Sequence, residues 1–181
     1  DVFVVDDVML ALQSIARKQR EAFDGPVLAI TGSNGKTTVK EWIARLLPNT
    51  LAVHRSPLSH NSQLGVPLSV WSLDTHHDVS LIEAGISHPG EMVRLRECIA
   101  PTEGVLTHLG DAHAGNFRDS SQLAEEKCAL FHSVSRVYMP HAFVEACRAK
   151  LSCDIITWGD PAEVGGHLGV DLTNLPQAVP L

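Results

Sequence analysis

"VLAITGSNGKTTVKEWIARLL", residues 27–47, joins an apolar run to an amphipathic helical pattern through a short polar segment. Val27–Thr31 has the length and apolar content of a buried strand, and Lys36–Leu47 has helical spacing. Glycines at such a seam let backbone N–H groups converge on an anion, and the positive end of the next helix assists them. This stretch therefore predicts a phosphate-binding loop between a strand and a helix.

The loop carries the residue types that phosphate chemistry requires. Gly35, Lys36 and Thr37 match the end of the GxxxxGK(S/T) pattern, in which lysine neutralises phosphate charge and a hydroxyl completes a Mg²⁺ shell. Ile30 replaces the first glycine of that pattern, so an ordinary glycine turn with an exposed lysine is the alternative. The strand before and the helix after favour phosphate binding. The candidate phosphate-binding residues are Thr31, Gly32, Ser33, Asn34, Gly35, Lys36, Thr37 and Thr38.

Short apolar strands alternate with helical patterns along the rest of the chain. The predicted strands are Phe3–Val5, Val27–Thr31, Leu51–His54, Val79–Glu83, Gly104–His108, Arg136–Met139 and Asp154–Trp158. The predicted helices are one that begins after Asp6 or Asp7 and ends before Gly25, then Lys36–Leu47, Gln63–Leu73, Gly90–Ala100, Gln122–Ser133 and Ala142–Lys150. This alternation predicts an α/β fold with a doubly wound, mostly parallel sheet and helices on both faces.

Composition narrows the class of protein. The 181 residues are 44% apolar and 19% charged, as in an ordinary globular domain, and the net charge of −7 argues against a nucleic-acid partner. Neither a bilayer-spanning apolar run nor a signal-peptide pattern is visible, so we expect no membrane partner and a cytoplasmic location. The four cysteines form no CxxC pair and are expected to be reduced.

The two ends suggest a piece of a larger enzyme. Residue 1 is Asp, the strand-like run at its start is already under way, and the segment 162–181 lacks clear periodicity. We expect residues 1–24 to be the end of an N-terminal domain or a linker helix. Residues 25–160 are then a nucleotide-binding central domain, and residues 161–181 are the tail of a truncated domain.

Polar clusters follow two further strands at their carboxyl ends, where ligands bind in such sheets. Glu83 directly follows an apolar strand, which is costly unless the carboxylate meets a cation such as Mg²⁺. A surface acid is the alternative. His113, in "THLGDAHAGNF", has the ring nitrogen of a metal ligand or is an ordinary loop residue. Zinc bound by His108, Asp111 and His113 is disfavoured because no fourth ligand has suitable spacing.

The spacing of two more polar residues favours structural roles over roles in a site. Lys127, in "QLAEEKCALF", is predicted to be a surface lysine on an amphipathic helix. Asn61 precedes a helix start, where an amide caps the helix or reaches a ligand, and capping is the default.

Five ordered motifs together resemble the central domain of the Mur ligase family. "TGSNGKTT" is similar to that family's nucleotide loop, in which a Thr-Gly pair replaces the first glycine. The others, in the same order, are "HNSQLGVPLSVW", "EAGISHPGEM", "HLGDAHAGNF" and "EEKCALF". The resemblance covers about residues 1–140. It is nearest to the branch that adds D-alanyl-D-alanine to UDP-N-acetylmuramoyl-tripeptide, in the form fused to an alanine racemase.

The resemblance implies a P-loop NTPase-like Mur ligase central domain that uses ATP and Mg²⁺. It implies that Lys36 and the loop amides hold the ATP phosphates and that Thr37 binds Mg²⁺. Glu83 and His113 match the family's magnesium-binding acid and histidine. Lys127 matches a lysine that the family carbamylates to help organise a second Mg²⁺, so the resemblance replaces the surface interpretation. The resemblance thus gives Lys36, Lys127 and His113 catalytic roles.

The resemblance also implies a nucleotide-site role for Asn61, which matches the first of the asparagines that precede "GVP" in this family. The sequence departs from the family at Ser62, Ser87 and His108, where asparagine is usual. These departures concern the fine geometry near the second metal rather than the ligand set.

The implied reaction is ATP-dependent amide formation in peptidoglycan precursor synthesis. An acyl phosphate of UDP-N-acetylmuramoyl-tripeptide reacts with D-Ala-D-Ala, and a racemase domain is expected downstream. We expect the chain on its own to bind nucleotide weakly and not to ligate. The alternatives are another Mur or folylpolyglutamate synthase-like ligase, and a non-catalytic P-loop nucleotide-binding module.

Overall fold

The computed structural model describes residues 2, 4–110 and 114–159. The helices are α1 (Val8–Glu21), α2 (Lys36–Leu46), α3 (Gly65–Trp71), α4 (Glu91–Ile99), α5 (Ser120–Cys128) and α6 (Val144–Arg148). The strands are β1 (Val27–Thr31), β2 (Val53–Arg55), β3 (Val79–Glu83), β4 (Glu103–Leu106), β5 (Arg136–Pro140) and β6 (Asp154–Trp158). Short 3-10 turns lie at Ala114–Asn116, Ala129–Phe131 and His141–Phe143.

Within the described residues, the strands form one sheet in the order β2-β3-β1-β4-β5-β6, and every pair is parallel. The β1-to-β2 connection crosses the sheet in the opposite direction from the later connections. Because such crossovers are right-handed, α2 covers one face and α3 to α6 cover the other. The predicted doubly wound α/β fold is confirmed.

The strand register brings the polar strand ends together. Ile30 of β1 lies opposite Glu83 of β3, and Thr31 lies opposite Leu106 of β4. The direction in which successive strands are added across the sheet reverses beside β1. The loop after Thr31, the end of β3 and the segment after β4 therefore meet at the carboxyl ends of the strands. In open α/β sheets this switch point is where ligands bind.

The central strands are buried on both faces, which explains their continuous apolar runs. Ile30, Ile82 and Leu106 have no exposed surface. Leu95 and Ile99 of α4, which belong to the same core, are equally buried. The predicted phosphate loop and Glu83 therefore lie at the ends of two buried central strands, β1 and β3.

Several predicted boundaries differ from the structure. The predicted strand at Phe3–Val5 is wrong for Val4 and Val5, which are exposed and unpaired, and Phe3 lies outside the described residues. Apolar residues favour a strand, but without a neighbouring strand no ladder forms. The helix predicted from Gln63 begins at Gly65, so Pro67 falls in its first turn, where a missing N–H is tolerated.

Helix α1 packs on α3 and α4, although the sequence placed residues 1–24 outside the central domain. That domain division stays a prediction, and residues 161–181 lie outside the described part of the chain. None of the helices that the structure describes is long and apolar enough to cross a membrane.

Candidate active site

The predicted phosphate loop lies between β1 and α2 and depends on two glycines. Gly32 and Gly35 have φ angles of +150° and +77°, in the region that favours glycine. A Cβ on Gly32 would lie 2.0 Å from the hydroxyl oxygen of Thr107. Glycine at position 32 therefore lets the loop pass close to the segment that follows β4.

That segment also braces the loop through hydrogen bonds. The Ser33 N–H donates to the His108 carbonyl at 2.8 Å, and the Ser33 hydroxyl donates to the Gly110 carbonyl at 2.9 Å. The Thr107 hydroxyl donates to the Asn34 carbonyl at 2.6 Å. The loop is thus held in one shape by its neighbour in the sheet.

The remaining loop residues differ in exposure. Thr38 is exposed, whereas Thr31 is buried and its hydroxyl has no hydrogen-bond partner within the described residues. Lys36 is partly buried, and its ammonium donates to the Gly32 carbonyl at 2.9 Å. Burial lowers the pKa of Lys36, and the negative charge of Glu83 partly opposes that shift. Lys36 forms no ion pair within 4 Å in the described part of the chain, so its charge is available to an anion.

Glu83 is the centre of a buried polar cluster at the end of β3. It is 1% exposed, so the surface-acid alternative is wrong. The Thr37 hydroxyl donates to its Oε2 at 2.8 Å, and the Asn61 amide donates to its Oε1 at 2.7 Å. The ammonium of Lys40 lies 3.8 Å from Oε2. Side chains from α2 and from the loop before α3 therefore meet at the carboxylate that ends β3.

Asn61 reaches Glu83 instead of capping α3. The Ser62 hydroxyl accepts from the Gly65 N–H at 3.1 Å, and Leu64, the N-cap residue of α3, makes no side-chain cap. The Gly85 N–H donates to the Asn61 carbonyl at 2.7 Å, and a Cβ on Gly85 would lie 2.9 Å from Asn61 Cγ. A glycine directly after Glu83 and Ala84 thus leaves the space that the amide occupies.

Lys127 lines the same cleft as the loop. This cleft of about 330 Å³ is bordered by Lys36, Asn61 and Lys127 among others. Lys127 is only 4% exposed, so the surface interpretation drawn from its spacing is wrong: α5 turns it into the cleft. Burial and the nearby charge of Lys36 lower the pKa of Lys127 to about 8. The described residues give it no hydrogen-bond or ion-pair partner.

The donor set suits a hard cation. A hydroxyl from Thr37 and a carboxylate from Glu83 are oxygen ligands of the kind that Mg²⁺ prefers, and the Asn61 amide donates to that carboxylate. The described residues contain no group of three or more His, Cys, Asp or Glu side chains that could hold a metal ion. Asp111 and His113 lie outside the described residues, so the place of His113 stays a prediction.

Sequence reasoning missed Lys40, which has no exposed surface. The signal was its spacing: Lys40 follows Lys36 by four residues, so both lie on the same face of α2. A lysine on the face that a helix turns toward a sheet is unusual unless the lysine is paired.

The parallel sheet, the glycine loop at its switch point and the buried carboxylate beside that loop are the features of the P-loop class of α/β domain. The sequence profile of the family described as Mur ligase middle domain matches residues 30–158. The chain belongs to the Mur ligase middle domain family.

The chain is similar to enzymes named UDP-N-acetylmuramoyl-tripeptide–D-alanyl-D-alanine ligase. The UDP-N-acetylmuramoyl-tripeptide–D-alanyl-D-alanine ligase of Synechocystis sp. is 37% identical over 128 residues, which are 71% of this chain and 28% of that enzyme. The chain thus spans less than a third of that relative's length.

Two solved structures show the same fold. A crystal structure of MurF from Acinetobacter baumannii has a TM-score of 0.79 at 28% identity, over 87% of this chain and 36% of that one. MurF from Thermotoga maritima in complex with ADP has a TM-score of 0.76 at 25% identity, over 86% and 37% of the two chains.

Proposed function

We propose that the chain is the ATP-binding central domain of a ligase that joins D-alanyl-D-alanine to UDP-N-acetylmuramoyl-tripeptide. The observation that carries the proposal is the meeting of Thr37, Asn61 and Glu83 beside the phosphate loop, with Lys127 in the same cleft. The names of the similar proteins support the choice of substrates. The racemase fusion and the cytoplasmic location stay predictions.

In this proposal the loop residues 31–38 and Lys36 hold the phosphates of ATP. The N–H groups at the start of α2 and the Lys36 ammonium balance phosphate charge. Thr37 and Glu83 hold Mg²⁺, with His113 as a further ligand and Asn61 orienting the carboxylate. Mg²⁺ held by these residues would supply positive charge against the charge that develops on the transferred phosphoryl group.

Lys127 is proposed to act as a carbamate. The Lys127 ammonium first loses a proton. The neutral amine nitrogen then bonds to the carbon of CO₂ as one C–O π bond opens onto oxygen, and a second proton leaves the nitrogen, so a cation becomes an anion. A pKa lowered to about 8 gives an appreciable neutral fraction near neutral pH, which this reaction requires. The resulting anion would lie near the charge of Lys36 and would offer an oxygen ligand to a second Mg²⁺.

The reaction then needs positioning and charge neutralisation more than covalent help from the protein. An oxygen of the tripeptide carboxylate bonds to the terminal phosphorus of ATP while the bond to the ADP oxygen breaks. The amine of D-Ala-D-Ala bonds to the carbonyl carbon of this acyl phosphate, and inorganic phosphate and a proton leave. Lys36 remains near the charge that moves in the first step.

Substrate-dependent ADP release from the protein of the full reading frame tests the proposal. We expect release only when both UDP-N-acetylmuramoyl-tripeptide and D-Ala-D-Ala are present, and loss of release in Lys36→Ala. Release with a folate and glutamate instead would favour the folylpolyglutamate synthase-like alternative. Nucleotide binding without substrate-dependent release would favour the non-catalytic module.

A further inference from the structure

Lys40 is a fully buried lysine that does not line the nucleotide cleft. It is the single buried residue of α2, and it lies one helical turn beyond Lys36. Burying an ammonium is costly unless other groups pair with it and accept its hydrogen bonds. Its partners therefore indicate what the residue does.

Those partners belong to the candidate metal cluster and to the loop that leads into it. The Lys40 ammonium donates to the Ser56 carbonyl at 2.7 Å and to the Leu58 carbonyl. It lies 3.8 Å from Glu83 Oε2 and 3.6 Å from Glu41 Oε1. Glu41 is partly exposed, whereas the carboxylate of Glu83 is buried.

The loop between β2 and α3 has a shape that needs such an anchor. Leu58 has a φ angle of +46°, a conformation that a leucine rarely adopts without support from its surroundings. The Ser56 hydroxyl accepts from the Glu83 N–H at 3.1 Å, and Asn61 follows three residues after Leu58. Lys40 thus binds the same loop that delivers Asn61 to Glu83.

We propose that Lys40 is a positioning residue that fixes Glu83 and the loop 56–61 so that both can serve a magnesium ion. The inference rests on the proposed function, because it assigns a role to Lys40 at the proposed metal site. Lys40 acts on the metal site through Glu83, both directly and through the loop whose Asn61 donates to that carboxylate, and Lys40 does not line the nucleotide cleft.

A purely electrostatic role gives the opposite expectation. An ammonium 3.8 Å from a carboxylate weakens the attraction of that carboxylate for a second cation, so removing the charge would tighten magnesium binding. A positioning role predicts weaker magnesium binding, because partners that orient a metal ligand typically contribute about 10- to 100-fold to metal affinity. The sign of the change separates the two.

The test measures ADP affinity of the whole 181-residue chain by calorimetry, with Mg²⁺ and with a chelator. The ratio of the two dissociation constants is the magnesium factor. We expect Lys40→Met to lower this factor about tenfold or more, with the affinity measured in chelator nearly unchanged. Lys18→Met, which alters an exposed lysine of α1, is the matched control and should keep the factor.

The double variant Lys40→Met with Glu83→Gln covers the case in which Lys40→Met does not fold. It leaves no unpaired buried charge, and its magnesium factor should equal that of Glu83→Gln alone because Lys40 acts through Glu83. The inference is overturned if the magnesium factor of Lys40→Met is unchanged or higher. It is also overturned if the magnesium factor of the double variant is lower than that of Glu83→Gln. A wild-type chain whose ADP affinity ignores Mg²⁺ refutes the proposed site itself, and the inference falls with it.

Discussion

Glu83 combines an almost complete lack of exposed surface with a polar contact to each of its two carboxylate oxygens. Thr37 and Asn61 each use one oxygen of its carboxylate, and the buried Lys40 ammonium lies nearby. Burying a carboxylate is costly unless polar partners of this kind surround it. Single changes among them should therefore alter function in specific ways.

Gly32 is expected to be essential for nucleotide binding. In Gly32→Ala, the new Cβ would collide with Thr107 at a φ of +150°, so the loop must move away from the segment after β4. We expect the affinity for ADP, measured with a fluorescent analogue, to fall at least about tenfold, or about 1.4 kcal/mol.

Gly90→Ala is the control for Gly32→Ala. Gly90 also has a positive φ, but its Cβ would meet nothing within 4 Å, so the backbone strain is retained and the collision is not. We expect Gly90→Ala to lose about 1 kcal/mol of stability and to keep its ADP affinity. Equal losses of affinity in the two variants would show that the approach of Thr107 to the loop does not matter.

Lys127→Ala should abolish ADP release in the full reading frame, because the cleft then lacks the proposed carbamate. Millimolar formate or acetate should restore part of the activity by supplying a carboxylate in the space that the side chain leaves. Lys18→Ala, at an exposed position, should leave turnover unchanged. Full turnover in Lys127→Ala would rule out the proposed role.

At the scale of elements, the strand-loop-helix at residues 27–47 was predictable because its signals are local: an apolar strand, glycines and a helical period. Strand Val79–Glu83 and strand Asp154–Trp158 also fall where the pattern predicted them. The absence of a strand at the N-terminus was not predictable in the same way. A strand needs a neighbour to pair with, and local sequence does not specify that neighbour. Val4 and Val5 have apolar side chains but no partner strand.

Helix α1 packs on α3 and α4, and one of its contacts with the domain is a buried arginine that no local pattern identified. Arg20 donates to the carbonyls of Ile99, Phe23 and Ala100 at 2.8, 2.5 and 2.8 Å. The bonds to Ile99 and Ala100 satisfy carbonyls at the end of α4, and the bond to Phe23 satisfies a carbonyl just after α1. We expect Arg20→Met to cost about 3 kcal/mol of unfolding free energy, since three buried or half-buried carbonyls lose a charged donor.

Urea unfolding followed by circular dichroism measures that loss. Lys18→Met is the matched control on the same helix, because Lys18 has only an exposed ion pair with Glu21 and should change stability by less than about 0.5 kcal/mol. A loss for Arg20→Met no larger than that of the control would mean that α1 is not anchored through Arg20.

At the scale of the whole molecule, the sheet order brings together residues that are far apart in sequence. The pattern of strand ends was sufficient to predict that the loop after Thr31 and Glu83 share an edge. It was insufficient for the burial of Lys127 and Lys40, because both depend on which way a helix faces after packing. Asn61 illustrates the same limit: its spacing favoured capping, and the folded chain places it on Glu83.

Global stability should fall in acid through His54. This imidazole is buried between the hydroxyls of Ser80 and Ser72, at 2.8 and 3.0 Å, and burial together with His77 lowers the pKa of His54 from 6.5 to about 4. The unfolded chain therefore takes up the proton first. The stabilisation is complete above pH 6.5 and declines as the pH falls toward 4, by at most about 3 kcal/mol.

Urea unfolding at pH 7.5, 6 and 5 tests this pH dependence. His54→Asn keeps a polar side chain but cannot take up the proton, so its stability should decline less steeply between these pH values. Parallel declines for the two proteins would assign the acid sensitivity to other groups.

The most direct test of the central claim is a crystal structure of the chain with ADP and Mn²⁺, which replaces Mg²⁺ and gives an anomalous signal. The account predicts an anomalous peak in contact with Thr37 Oγ1 and the carboxylate of Glu83, with the ADP phosphates on residues 32–38. ADP bound at another edge of the sheet, or a Mn²⁺ peak away from Glu83 at saturating metal, would contradict it.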